Sequence, residues 1–192
     1  MFLRRIIKVL HSDLLNDDRG QAILEFAITL PLLMVFIVGI YDFSGALNQK
    51  QKIEQAAHEG AVIAGAQPMS DIEVANTAGP ASLQPVQIAI INSLIANGVL
   101  QSGCTPVAGS GGPNLTWTYS ISNCPNTLKI TIDRGWEAGA GTSAAPAALG
   151  TRVKVEYPYT WRFNSVIQLL IPTANYVATT QLMETATVHN QM

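Results

Sequence analysis

The chain has 192 residues and a formal net charge of −2, with 11 basic and 13 acidic side chains. This balance excludes the strongly basic surface by which most proteins bind nucleic acids. Charged residues make up only 12% of the chain, against roughly 25% in ordinary soluble domains. A chain of this length has room for one membrane segment and one small domain, so we expect a membrane-tethered protein with a nearly neutral outer surface.

Residues 1–20 form a polar, mildly basic leader. Its basic side chains are Arg4, Arg5, Lys8 and Arg19. Residues 22–41 are strongly apolar, and a helix of this length, at 1.5 Å per residue, spans the roughly 30 Å hydrocarbon core of a bilayer. Basic residues precede this stretch and Asp42 follows it. That asymmetry predicts a single-pass protein whose leader is cytoplasmic and whose C-terminal part lies outside.

Glu25 lies inside the apolar stretch, where an ionised carboxylate costs about 2.5 to 3.5 kcal/mol. Because such a charge needs a partner, Glu25 is a candidate functional residue. Pro31 lies in the same stretch. Its missing backbone N–H predicts a kink or local unwinding near residues 27–31.

The helical pattern continues past the apolar stretch and stops before Pro68, which predicts one transmembrane and extended helix over residues 21–67. Its outer half carries two columns of small residues spaced four apart, a pattern that lets another backbone approach closely. The columns are Ala56, Gly60 and Ala64, and Ala57, Ala61 and Gly65. They can pack beneath the chain's own domain or against another subunit, and the sequence leaves both open.

Residues 68–192 are expected to form an extracytoplasmic α+β domain. A helix is predicted over residues 86–97, with Gly98 as its stop. Apolar residues alternate with polar ones in four later stretches, which predicts four strands. The predicted strands are residues 115–122, 127–132, 153–161 and 176–187. A long helix followed by an antiparallel sheet is an α+β arrangement.

Three connecting segments also have distinct compositions. Residues 123–126 suit a hairpin turn, and residues 135–150, rich in glycine and alanine, are predicted to be a loop. Residues 165–171 are apolar enough for a short helix or a surface-seeking segment.

The chain has two cysteines, Cys104 and Cys124. Outside the cytoplasm, a pair at this separation is expected to form a disulfide rather than a metal site. Closing a loop of this size contributes roughly 3 kcal/mol on the chain-entropy model. Two unpaired buried thiols are the alternative.

The features of the N-terminus follow a recognisable order. A basic leader is followed by Gly20, a four-residue gap, Glu25, the aromatic Phe26 and an apolar helix. This order resembles the prepilin peptidase signal of type IV-like pilins. Residues 19–66, above all through Pro31, Asp42 with its following phenylalanine, and residues 59–61, resemble the TadE-like minor pseudopilin family of the tight-adherence (Tad) pilus machinery.

The resemblance implies a pilin-like fold and a non-enzymatic minor pilin or pseudopilin that supports assembly of a Tad-type pilus. A prepilin peptidase would cut after Gly20, so that the mature chain begins at Gln21. Glu25, followed by Phe26, would then be the assembly carboxylate that pairs with the new amine. The implied partners are the prepilin peptidase, other Tad pilus subunits, the inner-membrane assembly platform and membrane lipid. The implied location is the bacterial inner membrane, with or without entry into the pilus.

Two other interpretations of the N-terminus remain open. The chain can be an uncleaved single-pass anchor for an extracytoplasmic binding or adhesion domain, or a secreted protein cut by signal peptidase at the small residues 44–46. Several aromatic side chains could line an adhesive surface. They are Trp117, Trp136, Tyr157, Tyr159 and Trp161. We expect core packing for Trp117 and Trp161, while Trp136 stays open.

An enzyme is not expected. Ser143 lies in a Gly/Ala-rich stretch without a nucleophile-elbow pattern, and no phosphate-cradling glycine motif follows a strand. The three histidines, His11, His58 and His189, are isolated in the sequence and are expected at the surface. The sequence therefore predicts no catalytic, cofactor-binding or metal-binding residues.

Overall fold

The computed structural model describes residues 18–72, 79–106, 109–112, 115–122, 127–138, 148–162, 168 and 179–191. Its helices are α1 (Asp18–Ala66) and α2 (Gln84–Ala96), and a 3-10 turn (Ala81–Leu83) directly precedes α2. The strands are β1 (Thr105–Pro106), β2 (Ser110–Gly112), β3 (Thr116–Ser122), β4 (Lys129–Ala138), β5 (Ala148–Thr160) and β6 (Thr179–His189). A long helix followed by a small antiparallel sheet confirms the predicted α+β class.

The chain forms two compact units. The first holds residues 1–43 with 162–177, and the second holds residues 44–161 with 178–192. Helix α1 is long and apolar enough to cross a membrane. An 18-residue window of this helix has a mean hydropathy of 2.5, and none of that window is buried. Pro31 lies inside α1, which stays helical through residues 27–31. Of the two outcomes predicted at Pro31, local unwinding is therefore wrong, and the kink stays a prediction.

The second unit is built on the sheet, whose strand order is β1–β3–β4–β5–β6, with β2 also paired to β3. All pairings are antiparallel. The inner face is apolar because alternate residues of β3, β4 and β5 stand opposite one another, as Trp117, Ile132 and Val153 do. These three side chains are at most 2% exposed, so the alternation in the sequence identified the buried face correctly.

The outer half of α1 packs in this second unit. Both columns of small residues are buried, and a Cβ added to Gly60 would lie 2.5 Å from the side chain of Ile90 on α2. A Cβ added to Gly65 would lie 3.0 Å from Val188 on β6. The small residues therefore let α1 approach its own helix α2 and its own sheet, which answers the question that the sequence left open.

The predicted loop over residues 135–150 is wrong at both ends. Strand β4 continues to Ala138 and β5 begins at Ala148, and Trp136 stands opposite Gly150. A β-bulge between Asp133 and Trp136 shifts the register, and the pairing of β4 with β5 continues beyond it. Residues 139–147 lie outside the described residues.

The other expectations are met with smaller differences. Helix α2 begins two residues earlier than predicted, and Gly98, at φ 68°, follows its end. Strand β6 runs on to His189, which is exposed as expected, while residues 176–178 lie outside the described residues. So do residues 123–126 and, apart from Gln168, residues 165–171.

Trp161 is not a core residue, which corrects its expected packing. Its side chain is partly exposed, and its indole N–H donates a 2.7 Å hydrogen bond to the hydroxyl of Thr180. The ring of Tyr159 meets it edge to face, with 5.1 Å between ring centroids. The expectation of core packing is confirmed for Trp117, which is 2% exposed.

Candidate processing and assembly segment

The four residues singled out at the N-terminus lie on the first turns of α1. Gly20, Gln21, Glu25 and Phe26 all belong to the continuous helix that begins at Asp18. Glycine is a poor helix former, costing about 0.8–1.0 kcal/mol relative to alanine. A Cβ added at Gly20 would meet nothing within 4 Å. No contact described within the chain therefore requires a glycine at this position.

Glu25 lies on an exposed, apolar part of the helix. All side chains of residues 21–30 are exposed, including Phe26 at 65% and Ile23 at 71%. The side-chain amide of Gln21 lies one turn earlier and donates to Glu25 Oε1 at 3.5 Å, which is the outer limit of a hydrogen bond. This contact offsets little of the free-energy cost of placing a carboxylate among apolar side chains.

A second carboxylate, Asp42, ends the apolar part of α1. Asp42 is only 3% exposed, and its Oδ2 accepts a 2.8 Å hydrogen bond from the backbone N–H of Arg162. The sequence marked Asp42 as the edge of the membrane segment but did not indicate this partner, which is 120 residues away. Only the fold brings the two together.

Arg134 anchors the other end of α1, and the sequence analysis missed it. Its side chain is 0% exposed, and its guanidinium donates to the carbonyl oxygen of Ala64 and, at 2.8 Å, to that of Gln67. Carbonyls at a helix C-terminus lack partners within the helix, and the helix dipole there favours a cation. Continuing the alternation of β4 inward from Ile130 and Ile132 would have placed Arg134 on the buried face.

The ionisation of this anchor is set by its surroundings. Burial lowers the pKa of Arg134, and the charge of Asp71 opposes that change. Burial also disfavours the charged form of Asp71. However, the backbone N–H of Ser82 donates to its Oδ2 at 2.8 Å, and this bond, with the charge of Arg134, holds the pKa of Asp71 below its ordinary value.

The outer face of the sheet is polar rather than aromatic. It carries a groove of about 310 Å³. Its lining residues are Thr116, Thr131, Asp133, Arg152, Lys154 and Thr185. Arg152 Nη2 lies 2.8 Å from Asp133 Oδ2. Of the aromatic side chains considered for an adhesive surface, Trp117, Tyr157 and Tyr159 are at most 7% exposed, so they belong to the core.

The predicted disulfide stays a prediction. Cys104 is 6% exposed, and Cys124 lies outside the described residues. The register of β1 with β3 places Thr105, which follows Cys104, opposite Ser122. Within the described residues, no group of three or more His, Cys, Asp or Glu side chains could hold a metal ion.

Comparison with known proteins identifies the family of the N-terminal region. Residues 20–62 match the family model described as TadE-like protein, which confirms the resemblance seen in the sequence. The match covers less than a quarter of the chain. The match begins at Gly20 and lies within α1. No curated protein and no solved structure matches the chain.

Proposed function

We propose that the protein is a minor pilin or pseudopilin that supports assembly of a Tad-type pilus, and that a prepilin peptidase cuts it after Gly20. The observation that carries the proposal is the TadE-like match over residues 20–62, which starts at the proposed cleavage residue. In this arrangement residues 1–20 are a cytoplasmic leader, residues 21–67 are the transmembrane and extended helix, and residues 68–192 are the extracytoplasmic domain. The protein sits in the bacterial inner membrane and takes no part in catalysis.

The surroundings of Gly20 support cleavage. Glycine lowers helix stability at this position, and an added Cβ would meet nothing within 4 Å among the described residues. A requirement for glycine at residue 20 would therefore come from a molecule that acts on the chain from outside. A protease whose active site admits only a small residue before the scissile bond would impose this requirement. Cleavage there creates a positively charged amine on Gln21.

That amine supplies Glu25 with a positively charged partner, beyond the weak hydrogen bond from the side chain of Gln21. In one chain, Gln21 and Glu25 are one helical turn apart, and in a bundle of α1 helices the carboxylate faces the amine of a neighbour. Pairing offsets the cost of placing the carboxylate in hydrocarbon and sets the axial register between subunits. Removing one partner of such a buried pair costs about 3–5 kcal/mol, which is enough to prevent incorporation of a subunit.

The alternatives gain less support. Cleavage by signal peptidase near residues 44–46 would cut α1 where Ala46 is 5% exposed and where a Cβ on Gly45 would lie 3.3 Å from the hydroxyl of Tyr159. An uncleaved adhesion domain would draw on exposed aromatic side chains, and three of the five candidates are buried. The prepilin peptidase, the other Tad subunits and the assembly platform are therefore the proposed partners.

N-terminal sequencing of the protein purified from membranes tests cleavage. We expect the sequence to start at Gln21 in cells with the peptidase and at Met1 in cells without it, and Gly20→Glu should give Met1 in both. A start at Met1 in wild-type protein would leave the uncleaved anchor, and a start at Leu47 would show the secreted form.

Glu25→Gln tests the assembly role separately, since it keeps the shape of the side chain and removes its charge. We expect normal membrane insertion and processing, with loss of pilus assembly. Glu59→Gln is the matched control, because Glu59 is also exposed on α1 and also accepts from a glutamine one turn earlier, at 3.3 Å, but lies beyond the apolar stretch. Normal piliation in Glu25→Gln would refute the pairing role.

A further inference from the structure

The groove on the outer face of the sheet takes no part in the proposed pilus function. Its volume of about 310 Å³ is at the lower end of the range for small-molecule binding sites. The strand register places its lining in two adjacent rows. Asp133 stands opposite Arg152 in one row, and Lys154 stands between Thr131 and Thr185 in the next. Because directly opposite residues share a face of the sheet, these five side chains line one surface.

The charges of the lining favour an anionic ligand. Two basic side chains and one acidic side chain line the groove, so its net charge is positive. Arg152 and Lys154 lie two residues apart on β5, which places their Cα atoms about 7 Å apart. Arg152 Nη2 lies 2.8 Å from Asp133 Oδ2 on the neighbouring strand, and Lys154 Nζ lies 2.9 Å from Glu156 Oε1 farther along β5. By register, neither carboxylate stands between the two basic residues, and an anion placed there would offset their mutual repulsion.

The basic groups are accessible to such a ligand. The side chains of Arg152 and Lys154 are 46% and 33% exposed. Among the described residues, the guanidinium of Arg152 has one hydrogen-bond partner, Asp133, whereas a guanidinium has five N–H donors. Its fork can therefore bind a carboxylate of the ligand while it stays paired with Asp133.

Asp133 distinguishes an acidic sugar from a bare anion. Its negative charge repels an inorganic anion, but its oxygens accept hydrogen bonds from hydroxyl groups. Oδ1 already accepts the backbone N–H of Gly135 at 3.1 Å and Oδ2 the guanidinium of Arg152, and an ionised carboxylate has about four acceptor positions. The hydroxyls of Thr131 and Thr185 can both donate and accept. A ring that carries one carboxylate and several hydroxyls matches this combination of groups.

We propose that the groove binds a hexuronic acid unit of an acidic polysaccharide. The sugar carboxylate lies between Arg152 and Lys154, and its ring hydroxyls donate to Asp133 and exchange hydrogen bonds with the threonine hydroxyls. Asp133 also positions the guanidinium of Arg152. All of these residues belong to the second compact unit, so the proposal is independent of membrane crossing by α1, of cleavage after Gly20 and of pilus assembly.

Calorimetric titration of the full chain in nonionic detergent micelles tests the site. The probes are trigalacturonic acid and the neutral galactose trimer of the same linkage, which differ only in their carboxylates. We expect the acidic trimer to bind and the neutral trimer to bind at least about tenfold more weakly, because a hydrogen bond to a charged group changes a dissociation constant by about that factor or more. Equal binding of the two trimers, or no binding of the acidic one, would overturn the proposal. So would displacement of the acidic trimer by acetate at the same concentration of carboxylate, since it would show an anion site without recognition of the sugar.

Charge-removing variants locate the binding. Arg152→Gln and Lys154→Gln should each weaken binding of the acidic trimer about tenfold or more, and both should stay folded because exposed ion pairs contribute little to stability. Lys129→Gln is the matched control. Lys129 is exposed on the same face of the sheet, opposite Glu156, but does not line the groove, so its loss should leave binding unchanged. If all three variants weaken binding equally, the affinity follows the total charge of the face and the proposed site is wrong.

Discussion

Arg134 gives the most direct test of how the domain holds its helix. Replacing it by leucine removes the guanidinium that donates to the carbonyl oxygens of Ala64 and Gln67. The Ala64 oxygen keeps the backbone N–H of Gln67 as a donor, whereas the Gln67 oxygen loses the donor that Arg134 supplies. Each buried polar group left unsatisfied costs about 1–3 kcal/mol. We therefore expect Arg134→Leu to lower the free energy of unfolding by about 1–3 kcal/mol, a noticeable part of the roughly 5–15 kcal/mol that a typical domain has.

The assay is chemical denaturation of the full chain in detergent micelles, with unfolding monitored by tryptophan fluorescence. Arg134→Lys should lose less than Arg134→Leu, because an ammonium keeps the charge at the end of α1 but lacks the forked donors that reach two carbonyls. Arg152→Gln is the control, since its ion pair with Asp133 is at the surface, with the arginine side chain 46% exposed. Exposed pairs contribute about 0–1 kcal/mol. If Arg134→Leu loses no more than Arg152→Gln, the anchoring role of Arg134 is wrong.

The remaining predictions concern packing, pH and the disulfide. Gly60→Ala should cost about 1–3 kcal/mol by overpacking, since its Cβ would lie 2.5 Å from a buried isoleucine. Gly20→Ala, in open space, should instead stabilise the helix by up to about 1 kcal/mol, and equal values for the two variants would contradict this. Burial raises the pKa of Tyr119 to about 12, so the stability that its neutral form contributes is complete below about pH 10 and is lost as pH rises towards 12. Tyr119→Phe should flatten that loss in alkaline denaturation curves, and an unchanged slope would count against it. Cys104→Ser should slow migration on non-reducing gels and cost about 3 kcal/mol, and unchanged migration would contradict the disulfide.

Much of the fold follows from local patterns in the sequence. The long helix was predicted to end at residue 67 and ends at Ala66. The prediction succeeds because the apolar stretch, its amphipathic continuation and Pro68 are local features of the sequence. The strands were recognised where apolar residues alternate, as in the stretch from Trp117 to Ile121. The family resemblance likewise rests on a short contiguous stretch, which is why the family model confirms it over residues 20–62.

The errors arose where distant residues decide the outcome. Residues 135–150 were predicted as a loop from their glycine and alanine content, but pairing between β4 and β5 extends the strands into both ends of that stretch. Trp161 was predicted in the core because the alternation of β5 continued to it, yet the strand ends at Thr160. In each case a neighbouring strand, rather than local composition, determines the conformation.

The sequence by itself determined that the chain has one apolar helix with a carboxylate inside it, a TadE-like N-terminal region and an α+β domain. These are properties of composition and short-range periodicity, which each segment carries independently of its neighbours. The tertiary structure alone decided that Asp42 holds Arg162, that Arg134 closes the end of α1, and that the small residues of α1 pack inside the domain. Those contacts join residues far apart in the chain, and their free energy exists only once the sheet and the helices have come together.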